Sequence, residues 1–373
     1  MVEKQTLAKT VRLLKTPAVV MFGNPLLDIV VTLQDQSILE KYELPADGEI
    51  ELEEDKIQEI LADLAECEQR ISPGGCAQNS ARLLQWLCGG KNVSPVVVYC
   101  GGLGKDSRGS TLQKLVKDDG IQTRYAMHST LPTGICMSLI CDQSRSLIAN
   151  LGAASLYTPL DLKRSNLPLD GLKIIYIEGF FVTHSLDVAK EIIVLTQEKC
   201  KNVVVAFNLS GEYIFKEHHA AICEMVGLAK IVFGNAREMK ALAKALSLQF
   251  DNVTDIPFLL NSSKRVTVSV ASSSAEEDWL TDNDIFVMTQ GGSAPAIVVW
   301  GEGHSSQVHP KKPKEPIVDT TGAGDSIVAG FLAGVLAKWD PKSCLECGCR
   351  TAAKIITKLG VNIPSNEPAA NFN

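Results

Sequence analysis

In Asp319-Thr-Thr-Gly-Ala-Gly-Asp325, two carboxylates bracket a glycine turn, and the second stands at the start of an apolar, small-residue stretch over 326–337. The spacing predicts a helix there, preceded by a short strand over 315–319. Gly322 and Gly324 then fall in a strand-to-helix turn, where glycine reaches backbone angles closed to other residues and leaves its N–H groups bare. The start of a helix adds about half a positive charge, so the turn is a cradle for an anion such as phosphate. Asp325 lies within reach of any hydroxyl brought up to that phosphate, which is the placement of a general base for phosphoryl transfer. The plainer alternative is an aspartate-capped helix after an ordinary turn.

Other polar residues cluster after apolar runs. Asn24-Pro-Leu-Leu-Asp28 follows the first run, Gly74-Gly-Cys-Ala-Gln-Asn79 opens a helical pattern, and Asn235-Ala-Arg-Glu238 and Thr289-Gln-Gly291 follow later runs. A carboxylate accepts from two vicinal hydroxyls at once, so Asp28 suits a sugar diol, with Asn24, Gly75 and Asn79 completing a polar cradle. Taken singly, Asp28 reads equally as a turn residue and Asn79 as a helix cap. Gly101-Gly-Leu-Gly-Lys-Asp106 has neither the Walker spacing nor the dinucleotide G-x-G-x-x-G pattern, which argues against P-loop kinases and nicotinamide enzymes.

Elements able to position these residues are legible. β-branched runs at 18–22, 95–100, 173–177, 203–207, 230–233, 285–288 and 296–300 read as buried strands, with helical patterns at 79–87, 109–117, 185–198 and 236–246 between them. That alternation predicts a doubly wound, mostly parallel α/β sheet flanked by helices, with ligands beyond the carboxyl ends of its strands. The pattern breaks at 29–71 and 124–157 into shorter alternating segments, including Thr133-Gly-Ile-Cys-Met-Ser-Leu-Ile-Cys141. These predict a small discontinuous β-rich lid; residues 1–28, 72–123 and 158–373 form the large domain. Two unrelated hairpins are the alternative. The polar stretch 271–278 reads as a loop without chemistry.

The chain has 373 residues, a formal charge of −7 and no basic run beyond Lys311-Lys312-Pro-Lys314, which excludes a nucleic-acid footprint. No apolar run approaches the roughly 20 residues of a membrane span. Eleven cysteines without framework spacing and no secretory apolar core near Met1 predict a reducing, cytoplasmic setting. Cys344, Cys347 and Cys349 lack a second ligand cluster and read as buried thiols, and His218-His219 reads as surface.

The motifs from Asn24 to Asp325, in their order along the chain, resemble the ribokinase (PfkB) family of carbohydrate and nucleoside kinases, over about 19–360. Within it the likeness is closest to the branch acting on adenosine, through Phe22-Gly-Asn-Pro-Leu-Leu-Asp-Ile29, Arg145-Ser-Leu-Ile-Ala-Asn-Leu151, Gly179-Phe-Phe181 and Phe233-Gly-Asn235. The resemblance implies a ribokinase-like fold, adenosine and ATP as small-molecule substrates, Mg²⁺ as cofactor and a monomer. It further implies Asp325 as base, the Gly322-Ala323-Gly324 backbone as anion hole and Arg145 as a phosphate clamp from the lid. Asn24, Asp28, Gly75, Cys76, Asn79, Cys136 and Phe181 would meet the nucleoside. Asn235, Thr289, Gly291 and Thr321 would meet ATP, with Asn235 and Glu238 serving the metal through water. Phe181 and Cys136 have core residues as their plain alternative, Glu238 an acidic residue in a first helical turn, and Gly291 a strand-end turn. Thr321, Cys76-Ala77 and Gly211-Glu-Tyr213 depart from the usual pattern of that branch and border its pockets. Kinases of inosine, ribose or fructose, and a non-catalytic nucleoside-binding protein, stay open as alternatives.

Overall fold

The computed structural model describes residue 14 and residues 17–46, 48–141, 144–200, 202–266, 279–280, 284–292 and 294–364. Its strands are β1 (Val19–Phe22), β2 (Leu26–Thr32), β3 (Gly48–Glu51), β4 (Gln69–Gly74), β5 (Val97–Gly104), β6 (Gln122–His128), β7 (Thr133–Cys141), β8 (Ser144–Gly152), β9 (Ile174–Glu178), β10 (Val204–Asn208), β11 (Ile231–Asn235), β12 (Ile285–Thr289), β13 (Ala296–Trp300) and β14 (His304–Val308). The helices are α1 (Ser37–Lys41), α2 (Glu54–Asp63), α3 (Cys76–Leu87), α4 (Ser107–Asp118), α5 (Pro159–Arg164), α6 (Gly179–Lys199), α7 (Phe215–Leu228), α8 (Ala236–Ala245), α9 (Ile256–Val266), α10 (Ala323–Leu336) and α11 (Pro341–Ile355).

Nine strands form one sheet in the order β14-β13-β12-β11-β10-β9-β1-β5-β6. From β12 to β6 every pairing is parallel, and β13 and β14 add an antiparallel edge. The central strands are apolar on both faces because helices cover both, which is why they read as continuous β-branched runs. A second sheet has the order β3-β8-β7-β2-β4. The chain enters it directly from β1 through Gly23-Asn-Pro25 and returns through Gly75 into α3.

Three expectations change, and one strand was not anticipated. Residues 315–319 form no strand: Pro316 has no N–H to give a ladder, and the N–H groups of Val318 and Asp319 donate to Ile356 O at 2.9 and 3.2 Å instead. The stretch 124–157 divides, because β6 pairs in parallel with β5 in the large sheet and the small sheet resumes only at Thr133. The small sheet also reaches past 29 and 71, to Leu26 and Gly74. Polar β14 escapes pattern reading because a sheet-edge strand has little surface to bury. Residues 271–278 lie outside the described residues.

Close helix packing sets the frame behind the glycine turn. A Cβ on Gly330 of α10 would lie 2.5 Å from Gly348 Cα on α11, so the helices touch backbone to backbone. Cys344, Cys347 and Cys349 are buried on α11.

Candidate active site

α10 opens on Gly322, whose φ of 76° is left-handed. That angle suits glycine, and a Cβ there would strike Val361 Cγ2 at 2.2 Å. Ala323 N–H closes the turn on Thr320 O at 3.1 Å, and Ser326 N–H and Oγ both bond Gly322 O, at 2.9 and 2.7 Å. The first-turn N–H groups that a helix cannot satisfy internally belong here to residues lining a cleft of about 970 Å³. Thr320, Thr321, Gly322, Ala323, Gly324 and Asp325 form that wall.

Asp325 is 7% exposed and accepts from Asn79 Nδ2 at 3.2 Å. Burial pushes its carboxyl up to about 8; the Asn79 bond opposes that rise, while the negative fields of Glu178 and Asp28 add to it. At neutral pH such a group exchanges protons readily, as a base must.

Asp28 comes from β2 and lines the same cleft. Burial raises its carboxyl to about 7 against the field of Arg82 and Arg145. Gly74 of β4, paired with Leu26, leaves the room the Asp28 carboxyl occupies: a Cβ there would stand 1.8 Å from Asp28 Oδ1. Asn24, Gly75, Cys76, Asn79 and Cys136 line the cleft beside it.

Asn235 and Glu238 both line the cleft and bond each other. Asn235 Oδ1 accepts from Arg237 and Glu238 N–H at 2.8 and 3.0 Å, while Glu238 Oε2 accepts from Asn235 N–H at 2.8 Å, a capping box that starts α8. Burial raises the Glu238 carboxyl. Among the described residues no group of three His, Cys, Asp or Glu could hold a metal ion. One capping carboxylate facing the cleft therefore fits a Mg²⁺ ion carried mainly by phosphates and water, and not an all-protein cage.

Three expected residues lie elsewhere. Phe181 is fully buried against Phe22, at 5.8 Å between ring centroids, and Tyr157, at 5.9 Å. Residues 179–181 begin α6 rather than ending a strand, and that turn sends Phe181 to the core and Phe180 to the cleft. Phe180 stacks on Tyr213 at 5.8 Å, and both line the cleft. Gly291 is not in the lining, although Thr289 is. Arg145 crosses from β8 to the glycine turn's own flank: Nη1 reaches Thr321 Oγ1 at 2.8 Å and Asp319 Oδ1 at 3.2 Å. Burial works against ionisation of Asp319, but N–H groups of Thr321 and Gly360, the Thr321 hydroxyl and Arg145 together hold its carboxyl below the ordinary range.

Sequence reasoning passed over Glu178. It is 1% exposed at the end of β9 and accepts the N–H groups of Asn24 and Ala77, each at 2.6 Å, tying together both loops that lead into and out of the small sheet. Burial raises it to about 7. One acid ending the apolar run Ile174-Ile-Tyr-Ile177 was the available signal. His218, expected at the surface, also lines the cleft, on a kinked turn of α7.

A buried carboxylate set beside a glycine turn at a helix start, on a ribokinase-like sheet, belongs to a phosphotransferase with an alcohol group as acceptor. The model of the pfkB family of carbohydrate kinases matches residues 54–368, and the chain belongs to that family. ATP is accordingly the co-substrate. Adenosine kinase of Saccharomyces cerevisiae is 30% identical over 358 residues, covering 94% of this chain and 98% of its own length. Adenosine kinase 1 of Arabidopsis thaliana is 30% identical over 92% of this chain and 94% of its own. The crystal structure of Anopheles gambiae adenosine kinase in complex with P1,P4-di(adenosine-5) tetraphosphate superposes with a TM-score of 0.76 at 27% identity, over 94% of this chain and all of that one. No helix among the described residues is long and apolar enough to cross a membrane.

Proposed function

We infer that this chain is an adenosine kinase, transferring the terminal phosphoryl group of ATP to the adenosine 5′-hydroxyl and releasing AMP and ADP. The observation that carries the reading is that Asp325 and Asp28 line one cleft, with the glycine turn beside the first and the Asn24 and Asn79 amides beside the second. Asp28 accepts the two ribose hydroxyls, which leaves the 5′-hydroxyl toward Asp325. Asp325 takes the hydroxyl proton as the oxygen attacks phosphorus, and the N–H groups of residues 322–324 stabilise charge on the transferring phosphoryl. The stacked Phe180 and Tyr213 offer a flat apolar face suited to a purine. Thr289 and Asn235 border the ATP side.

Asn235 and Glu238 would hold Mg²⁺ through water. The ion supplies charge neutralisation between phosphate oxygens. Arg145, already joined to Asp319 and Thr321, is placed to tie the small sheet to the phosphate side when the cleft is filled. Its pairing makes closure of the small sheet and formation of the anion site one event, excluding water from the transfer. Eleven cysteines spread along the chain without framework spacing suit a reducing compartment such as the cytoplasm.

ADP release with ATP and Mg²⁺ over adenosine, inosine, guanosine, ribose and fructose tests the reading. Turnover concentrated on adenosine supports it; preference for a sugar or another nucleoside overturns the substrate.

A further inference from the structure

Arg82 sits on α3 one turn beyond Asn79, 4% exposed and away from the cleft lining. Its guanidinium joins four pieces of the structure. Nε donates to Asp119 Oδ2 at 2.6 Å, Nη1 to Pro73 O and to Asn79 Oδ1, each at 3.1 Å, and Nη2 to Val361 O at 3.2 Å. Pro73 belongs to β4 of the small sheet, and Val361 is the residue packed against Gly322.

The chemistry of the Asn79 contact is directional. A carboxamide has one accepting and one donating end, whereas a guanidinium only donates. Arg82 therefore fixes the oxygen of Asn79 toward itself and the NH₂ toward the carboxylate of Asp325, which needs a donor. An amide turned the other way would set oxygen against oxygen at the base.

We propose that Arg82 is a positioning residue for catalysis: it holds the Asn79 amide in the one orientation that donates to Asp325, and so keeps the base ionisable without touching either substrate. The proposal rests on Asp325 being the base. The Asn79 bond opposes the upward push of burial on that carboxyl, so losing it moves the midpoint further up. The other groups facing Asp325 are Glu178 from β9, Asp28 from β2 and the Cys76 thiol from α3; of these Asp28 also feels the Arg82 charge, so Asn79→Ala, which keeps that charge, isolates the part carried by the amide.

The test reads the midpoint without turnover. The Asp carboxyl carbons are labelled with ¹³C, the Asp325 resonance is assigned by its loss in Asp325→Asn, and pH is titrated in wild type, Arg82→Gln, Asn79→Ala and the double variant. A hydrogen bond to a charged group is worth on the order of one pKa unit. Arg82→Gln is expected to raise the Asp325 midpoint by about that much, Asn79→Ala by a similar amount, and the double variant by no more than either. The acid limb of kcat moves up with it, and kcat at neutral pH falls roughly tenfold to a hundredfold, with the adenosine KM changing less. A midpoint unmoved in folded Arg82→Gln, or additive shifts in the double variant, would overturn the proposal. Should Arg82→Gln be too unstable to titrate, Arg82→Met with Asp119→Leu removes the buried guanidinium together with its half-buried partner and is read the same way. Wild-type protein inactive on adenosine would count against the proposed function instead, because the midpoint is measured independently of activity.

Discussion

Replacing Asp325 by Asn tests the base through two independent quantities. The carboxyl is raised by burial from 3.8 to about 8, so the folded protein binds this proton more tightly than the unfolded chain does. A group raised in this way contributes stability that is fully present below the unfolded value and is lost as pH climbs through the folded one. Across the window from roughly pH 5 to 7.5, the unfolded chain has released the proton and the folded one keeps it, so stability falls by up to ~1.4 kcal/mol per pH unit on this account. Asn carries no such proton. The ligand-free Asp325→Asn protein should therefore show a shallower decline of unfolding free energy with pH, gaining up to about 3 kcal/mol relative to wild type across the window. Glu178 and Asp28 share the cleft and titrate with Asp325, so part of the slope persists in the variant. Urea unfolding at fixed ionic strength, repeated at half-unit pH steps, measures it. In the same protein, turnover should drop by roughly 10²–10⁴ while nucleoside binding by calorimetry is kept. Parallel stability curves would refute the raised carboxyl, and near-wild-type turnover would refute its role as base.

Phe180 and Phe181 separate cleft from core. Phe181→Ala should cost about 3–5 kcal/mol of stability with little effect on the adenosine KM of the folded protein, whereas Phe180→Ala should raise that KM roughly tenfold at small cost in stability; thermal denaturation alongside steady-state kinetics distinguishes them, and the reverse pattern would return Phe181 to the site. Gly74→Ala puts a methyl where Asp28 Oδ1 lies, 1.8 Å away, and the displaced carboxylate should weaken adenosine binding by about tenfold or more. Calorimetry showing unchanged affinity would remove Asp28 from the ribose contact.

Local rules carried a large part of the site. Gly322 and Asp325 were legible because a glycine turn and a helix start are local events, and their chemistry follows from a few consecutive residues. The central strands were legible because burial on both faces leaves unbroken β-branched runs. The failures share a cause. Residues 315–319 have strand-like composition but no neighbour to pair with, and β6 has alternating character but lies beside β5. Phe180 and Phe181 differ only in which side of α6 they occupy, and one residue of helical rotation decides that.

The sequence by itself determined the parallel sheet, the glycine turn and the carboxylates near it, since each is encoded by neighbours in the chain. Only the tertiary structure decided that Asp28, Glu178 and Asp325 would meet in one buried cleft, and that Arg82 would reach Asn79, Asp119, Pro73 and Val361 together. Desolvation and mutual repulsion raise the carboxyls, and both depend on distances between residues far apart in the chain, which no local pattern specifies.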